Sequence, residues 1–194
     1  EISKKGVKLK WGDDIPPELF RVTARVNGCA ATIVEPFQNA KGEWNWLAIT
    51  ANHCVRLNES VTVSLLWPES EKRKFAGKVI YEDDADIAVI SFKPTGAIPF
   101  AKIGDRPNTG DDVITVGYPG GNLRGKMSKI VGNSTVSRDL TIADDIWHGN
   151  SGGGLFHNGE LVGVASSRTG ATGPSYFAGT EALRRSYHVA AVEL

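Results

Sequence analysis

An all-β fold closed by one short C-terminal helix is predicted by three features of this 194-residue chain. Apolar and polar residues alternate in short bursts, Gly, Pro, Asn and Asp separate the bursts, and only one late segment keeps helical spacing. Glycine supports this: 22 of 194 residues, about 11% against a usual ~7%, fits many tight turns between short strands. The bursts fall at 20–26, 29–34, 46–50, 61–67, 75–81, 86–92, 113–118, 127–131, 135–142, 154–156 and 161–166. Strands this short and this evenly spaced build barrels or a sandwich. The helix is expected at 180–192, with Thr180 as its N-cap and Leu183, Tyr187 and Ala191 on one face.

Residues 1–17, charged and proline-containing, read as an N-terminal arm. The stretch 93–99, with Pro94, Gly96 and Pro99, joins 106–110 as the linker between two halves, 18–100 and 101–194, of one domain. Trp44, Trp46 and Trp67 are expected to pack at strand positions. The chain begins at Glu1 without Met, which fits either removal of a signal or pro-segment or a trimmed chain.

Composition narrows the function classes. Lys and Arg number 22 and Asp and Glu 22, so the formal net charge is zero, with no basic run to mark a nucleic-acid partner. Hydrophobic residues at 41% and charged residues at 23% are ordinary for a globular chain, and no stretch is apolar enough for a membrane span. Two cysteines, Cys29 and Cys54, allow one bridge and lack the spacing of a zinc site. His148 and His157, without companion carboxylates or thiols, do not suggest a metal site, and no cofactor is expected. Gly120 to Lys126 spells part of a phosphate-binding loop, but Met127 stands where a magnesium-binding hydroxyl belongs, and a strand follows instead of a helix.

Three segments carry chemistry. In Gly149-Asn150-Ser151-Gly152-Gly153, glycines on both sides permit a tight turn that exposes a serine hydroxyl and lets a carbonyl approach main-chain N–H groups; a plain glycine-rich hairpin would read the same way. Thr50-Ala51-Asn52-His53-Cys54 ends an apolar strand, where a rigidly held imidazole suits a general base or is simply a solvated surface residue. Asp86 opens the apolar run Ile87-Ala88-Val89-Ile90, where a partly buried carboxylate would accept a hydrogen bond from histidine Nδ1. Its neighbours Glu82, Asp83 and Asp84 read as solvated turn residues.

In the order His53, Asp86, Ser151 these segments resemble the chymotrypsin/trypsin-like serine protease family, over residues 20–188. Asp86-Ile87-Ala88-Val89, Ile103-Gly104-Asp105, Val116-Gly117-Tyr118-Pro119-Gly120 and Gly149-Asn150-Ser151 are similar in style to the bacterial HtrA-like branch. The resemblance implies two six-stranded antiparallel β-barrels with the site in the cleft between them. It implies a catalytic triad in which Ser151 attacks, His53 moves the proton and Asp86 orients His53. The backbone N–H groups of Gly149 and Ser151 would form the oxyanion hole, with Asn150 supporting the loop. Cys29 and Cys54 would be bridged, which places the chain in a secreted or periplasmic, oxidising compartment. Ser166, Ser167 and Arg168 would pair with an extended peptide substrate, and Trp147 and His148 would line the cleft. Asp145, six residues before Ser151, stands where trypsin-like enzymes receive Lys or Arg, giving a lean to basic P1 residues; Arg168 could neutralise it, and the HtrA-like branch does not use this pocket floor. Asn150 stands where zymogen-type relatives carry an aspartate, so activation by a new N-terminus is not expected. Two other readings fit: a self-processing domain of a larger protein, and a protease-fold binding module without turnover.

Overall fold

The structure, a computed structural model, describes residues 15–134, 139–143, 150–168 and 174–194. Among these, twelve strands close into two antiparallel barrels. The first contains β1 (Thr23–Val26), β2 (Cys29–Gln38), β3 (Trp44–Thr50), β4 (Ser60–Leu65), β5 (Arg73–Asp83) and β6 (Ile87–Phe92), ordered β1-β2-β3-β6-β5-β4. Arg25 opposite Ser64 closes it. The second contains β7 (Asp112–Gly117), β8 (Arg124–Ser134), β9 (Asp139–Ile142), β10 (Gly154–His157), β11 (Glu160–Arg168) and β12 (Ser175–Ala178), ordered β10-β11-β12-β9-β8-β7. Pairing of β10 with β7 closes that one. Helices α1 (Pro17–Arg21) and α2 (Thr180–Glu193) flank them.

Side-chain alternation explains why β6 is apolar throughout. Ala88, Ile90 and Phe92 fill the first barrel, while Ile87 and Val89 join Leu47, Ile49, Phe156, Leu161 and Leu183 in a core shared by both barrels and α2. A third cluster, with Ile130, Leu140, Leu155 and Phe177, fills the second barrel. Each barrel has an Asn-Gly hairpin, Asn27-Gly28 and Asn158-Gly159, with positive φ at both residues, the backbone of a type I′ turn. The chain between barrels is stitched to each: Ala101 bridges Val34, and Ile103 bridges Leu161.

Several expectations change. Residues 17–21 are helical where an arm and then a strand were expected, because Pro17 near the helix start pre-sets φ and Glu18 and Arg21 suit the helix dipole. The N-cap of α2 is Gly179, and the Thr180 hydroxyl instead donates to the Val162 carbonyl at 2.7 Å, tying the helix to β11. The buried face of α2 is Ala182, Leu183, Ser186 and Ala190, with Ala191 only half-buried. Strand β12 carried no legible alternation; it is defined by pairing with β11 and β9 on either side. Trp44, at the start of β3, is 59% exposed and does not pack in a core.

Candidate active site

Two turns of the first barrel meet at one carboxylate. After β3 the chain makes a 3-10 turn, Asn52–Cys54, that carries His53. The β5–β6 connection is a tight turn in which the Asp86 N–H donates to the Asp83 carbonyl at 3.1 Å. Asp86 adopts φ +64°, a left-handed backbone that Asp tolerates better than most residues. Asn52 fastens the turns together: its N–H donates to the Asp86 carbonyl at 3.2 Å, and its Nδ2 to the Asp83 carbonyl at 3.3 Å.

The Asp86 carboxylate is therefore aimed at His53. Its Oδ1 accepts the His53 backbone N–H at 2.9 Å, and its Oδ2 lies 2.8 Å from His53 Nδ1. An ionised carboxylate only accepts, so opposite an ionised Asp86 a neutral imidazole carries its proton on Nδ1 and keeps a lone pair on Nε2. Ser166 Oγ donates to the same Oδ2 at 2.7 Å. Ser166 comes from β11 of the second barrel, so this hydrogen bond crosses the cleft. Its side chain thus supports Asp86, a contact that the sequence reading did not anticipate.

Ser151 is carried by a turn that the second barrel presses against the first. The Ala30 N–H donates to the Ser151 carbonyl at 2.9 Å, and Gly152 N–H donates to Ala165 at 2.9 Å. Gly152 has φ +82°, and a Cβ there would lie 2.1 Å from the Ala30 carbonyl and 2.3 Å from Thr50 Oγ1. A Cβ on Gly153 would lie 2.4 Å from the Val116 carbonyl. Only glycine permits that approach, which seats the Ser151 turn against Thr50 and Ala51, just before His53. Asn150 is fully buried beneath the turn, its Nδ2 3.4 Å from Thr115 Oγ1 and its Oδ1 over Gly117.

Cys29 and Cys54 form a disulfide. It ties the residue before Ala30, which anchors the Ser151 turn, to the residue after His53. Closing a loop of this length stabilises the fold by about 3 kcal/mol on the chain-entropy account. Beside it a concavity of about 540 Å³ is lined by Asn27, Asn52, His53, Arg56 and Glu59.

Asp83 departs most from expectation. It is buried, not a solvated turn residue: Arg185 of α2 grips its carboxylate with Nη2 2.8 Å from Oδ1 and Nε 2.9 Å from Oδ2. The Arg185 guanidinium holds the Asp83 carboxyl down to about 2, against the opposing effect of burial. Nothing in the run Glu82-Asp83-Asp84 distinguishes this residue from its neighbours, and its partner lies 102 residues away. The proposed Gly149 donor and the expected cleft residues Asp145, Trp147 and His148 lie outside the described residues, as do the side chains of Ser167 and Arg168.

The sequence profile of the trypsin-like peptidase domain matches residues 37–164. The chain is 29% identical over 136 residues to the "probable periplasmic serine endoprotease DegP-like" of Rickettsia prowazekii, covering 62% of this chain and 26% of that protein. It is 36% identical over 133 residues to "Protease Do-like 2, chloroplastic" of Arabidopsis thaliana, covering 60% and 21%. The chain spans less than a third of the length of these two relatives. Among solved structures, the serine endoprotease from Yersinia pestis superposes with a TM-score of 0.74 at 18% identity, covering 92% of this chain and 68% of that one. The inactive Ser-to-Ala form of Rv3671c from Mycobacterium tuberculosis gives 0.69 at 18% identity, covering 91% and 89%. At these identities the structural matches speak for the two-barrel fold.

Proposed function

Because the chain belongs to the trypsin-like peptidase family, we propose that it is a serine endopeptidase hydrolysing peptide bonds through an acyl-enzyme. Ser151 attacks the scissile carbonyl, and His53 Nε2 takes its proton and returns it to the leaving amine. Asp86 orients His53 and stabilises the imidazolium. The N–H groups of Gly149 and Ser151 stabilise the oxyanion, each worth roughly 3 kcal/mol in such sites. The observation that carries this reading is the Asp86 carboxylate, which accepts the His53 backbone N–H and lies 2.8 Å from Nδ1. That arrangement leaves one nitrogen free to act as the base. The imidazole is about half exposed, as a group that must meet substrate should be.

The substrate is a protein or peptide, with a lean to Lys or Arg before the scissile bond if Asp145 floors the pocket. The disulfide and the DegP-like relatives named periplasmic favour an oxidising, extracytoplasmic location. A serine-directed fluorophosphonate is expected to label the wild-type chain at Ser151 alone, and Ser151→Ala is expected to fold and lose peptide hydrolysis. Hydrolysis by Ser151→Ala at the wild-type rate would overturn the assignment. Asp145→Ser with an unchanged cleavage preference would remove Asp145 from the pocket.

A further inference from the structure

We propose that Arg185 of the C-terminal helix is a positioning residue for the hydrolysis, holding through Asp83 the turn that presents Asp86 to His53. The inference rests on the triad reading above. Asp83 is the hub of the turn. Its Oδ1 accepts the Ala85 N–H at 2.9 Å and its Oδ2 the Tyr81 hydroxyl at 3.0 Å. Its carbonyl accepts the Asp86 N–H and the Asn52 side chain. One residue thus joins the Asp86 turn to the His53 turn, and its carboxylate is held by both prongs of the Arg185 guanidinium.

Two features make this grip matter for chemistry as well as for stability. Asp86 sits at φ +64°, an unfavourable backbone that persists only when its surroundings hold it. The Asp83 side chain is only 6% exposed, so without Arg185 its carboxylate would be left charged with no counter-ion, held by the Ala85 N–H and the Tyr81 hydroxyl alone. The relief available is rotation of the turn toward water, which releases the Ala85 N–H and moves Asp86 off the imidazole. A planar two-pronged donor fixes the carboxylate plane, which a lysine ammonium cannot do.

The adjacent Arg184 provides the control. It also docks α2, through Nη2 to the Gly104 carbonyl at 2.6 Å and to Asp105 at 3.3 Å, but touches neither turn. The test measures kcat and KM per fluorophosphonate-titrated serine, so that misfolded chains do not count. Arg185→Met is expected to lower kcat about 10- to 100-fold with KM within about threefold, the cost of a small misplacement of a catalytic group. Arg185→Lys should recover at least threefold of that loss while remaining below wild type. Arg184→Met should leave kcat within about twofold, even where it lowers the melting temperature. The low-field proton resonance of His53 Nδ1–H should broaden or move upfield in Arg185→Met and persist in Arg184→Met. If Arg185→Met does not fold, Arg185→Lys is read against wild type, with at least a threefold loss expected. A kcat per titrated serine within twofold of wild type in the variant read, with the resonance unmoved, overturns this inference alone. A wild-type chain that the probe does not label overturns the triad and this inference together.

Discussion

The first barrel holds its part of the site by side chains gripping side chains, whereas the second holds its part by main chain against main chain. Around His53, an aspartate carboxylate meets one backbone N–H, lies against the imidazole and takes a serine hydroxyl from across the cleft, and a second aspartate behind it is held by an arginine. Around Ser151, the contacts are carbonyl to N–H, packed so closely that glycine is required. The two halves therefore have different vulnerabilities. One fails when charge or donor geometry changes, and the other when volume is added.

The largest expected effect tests the side-chain half. Asp86→Asn keeps the shape but replaces one acceptor oxygen by a donor, so the imidazole loses the partner that keeps its proton on Nδ1. We expect kcat to fall on the order of 10⁴-fold per titrated serine, with the chain still folded and Ser151 still seated on Ala30. A loss under tenfold would mean that Asp86 does not set the tautomer.

The main-chain half is tested by Gly152→Ala. The new methyl would meet the Ala30 carbonyl at 2.1 Å on a φ of +82°, so the turn must move. A loss of about 3 kcal/mol or more in urea unfolding is expected, together with a loss of labelling at Ser151. Gly159→Ala sharpens the comparison. Its φ of +81° is the same, but nothing lies within 4 Å, so only the left-handed penalty of about 1–2 kcal/mol applies and labelling should persist. Equal losses in the two variants would show that backbone conformation, and not close approach, holds the Ser151 turn.

The same contrast decides what could be read from the sequence. The Ser151 turn was legible because its glycines are neighbours in the chain. Strand β6 was legible because its apolar run is continuous, and Asp86 because it opens that run. Asp83 was not: Glu82, Asp83 and Asp84 are alike as sequence, and only the fold brings Arg185 to one of them. The Ser166–Asp86 hydrogen bond was hidden for the same reason, spanning 80 residues and the cleft. Strand β12, four residues long, owes its conformation to pairing between the preceding strand β11 and the more distant β9, and carries too short a pattern to announce it.

A further predicted effect, confined to acid, separates the barrels. Asp83, in the first, has its folded pKa lowered to about 2 by the hydrogen bonds from Arg185. A carboxyl whose folded pKa is lowered binds fewer protons folded than unfolded. Its contribution is therefore full above the ordinary carboxylate pKa and is lost as pH falls through the folded value, here from about pH 4 down to about 2. From the size of that shift the contribution is about 2 kcal/mol. Asp139, in the second barrel, moves the other way. Burial raises its pKa against the lowering field of Arg106, so the folded state takes up a proton first, and this group adds stability as pH falls. Urea unfolding of wild type and Asp83→Asn at pH 5 and pH 2 isolates the first effect from every carboxyl that the two chains share. The stability gap between them should shrink by about 2 kcal/mol on acidification. A gap that does not change with pH would mean that the Arg185–Asp83 pair is no tighter than a solvated one, and that the turn carrying Asp86 is held by its backbone instead.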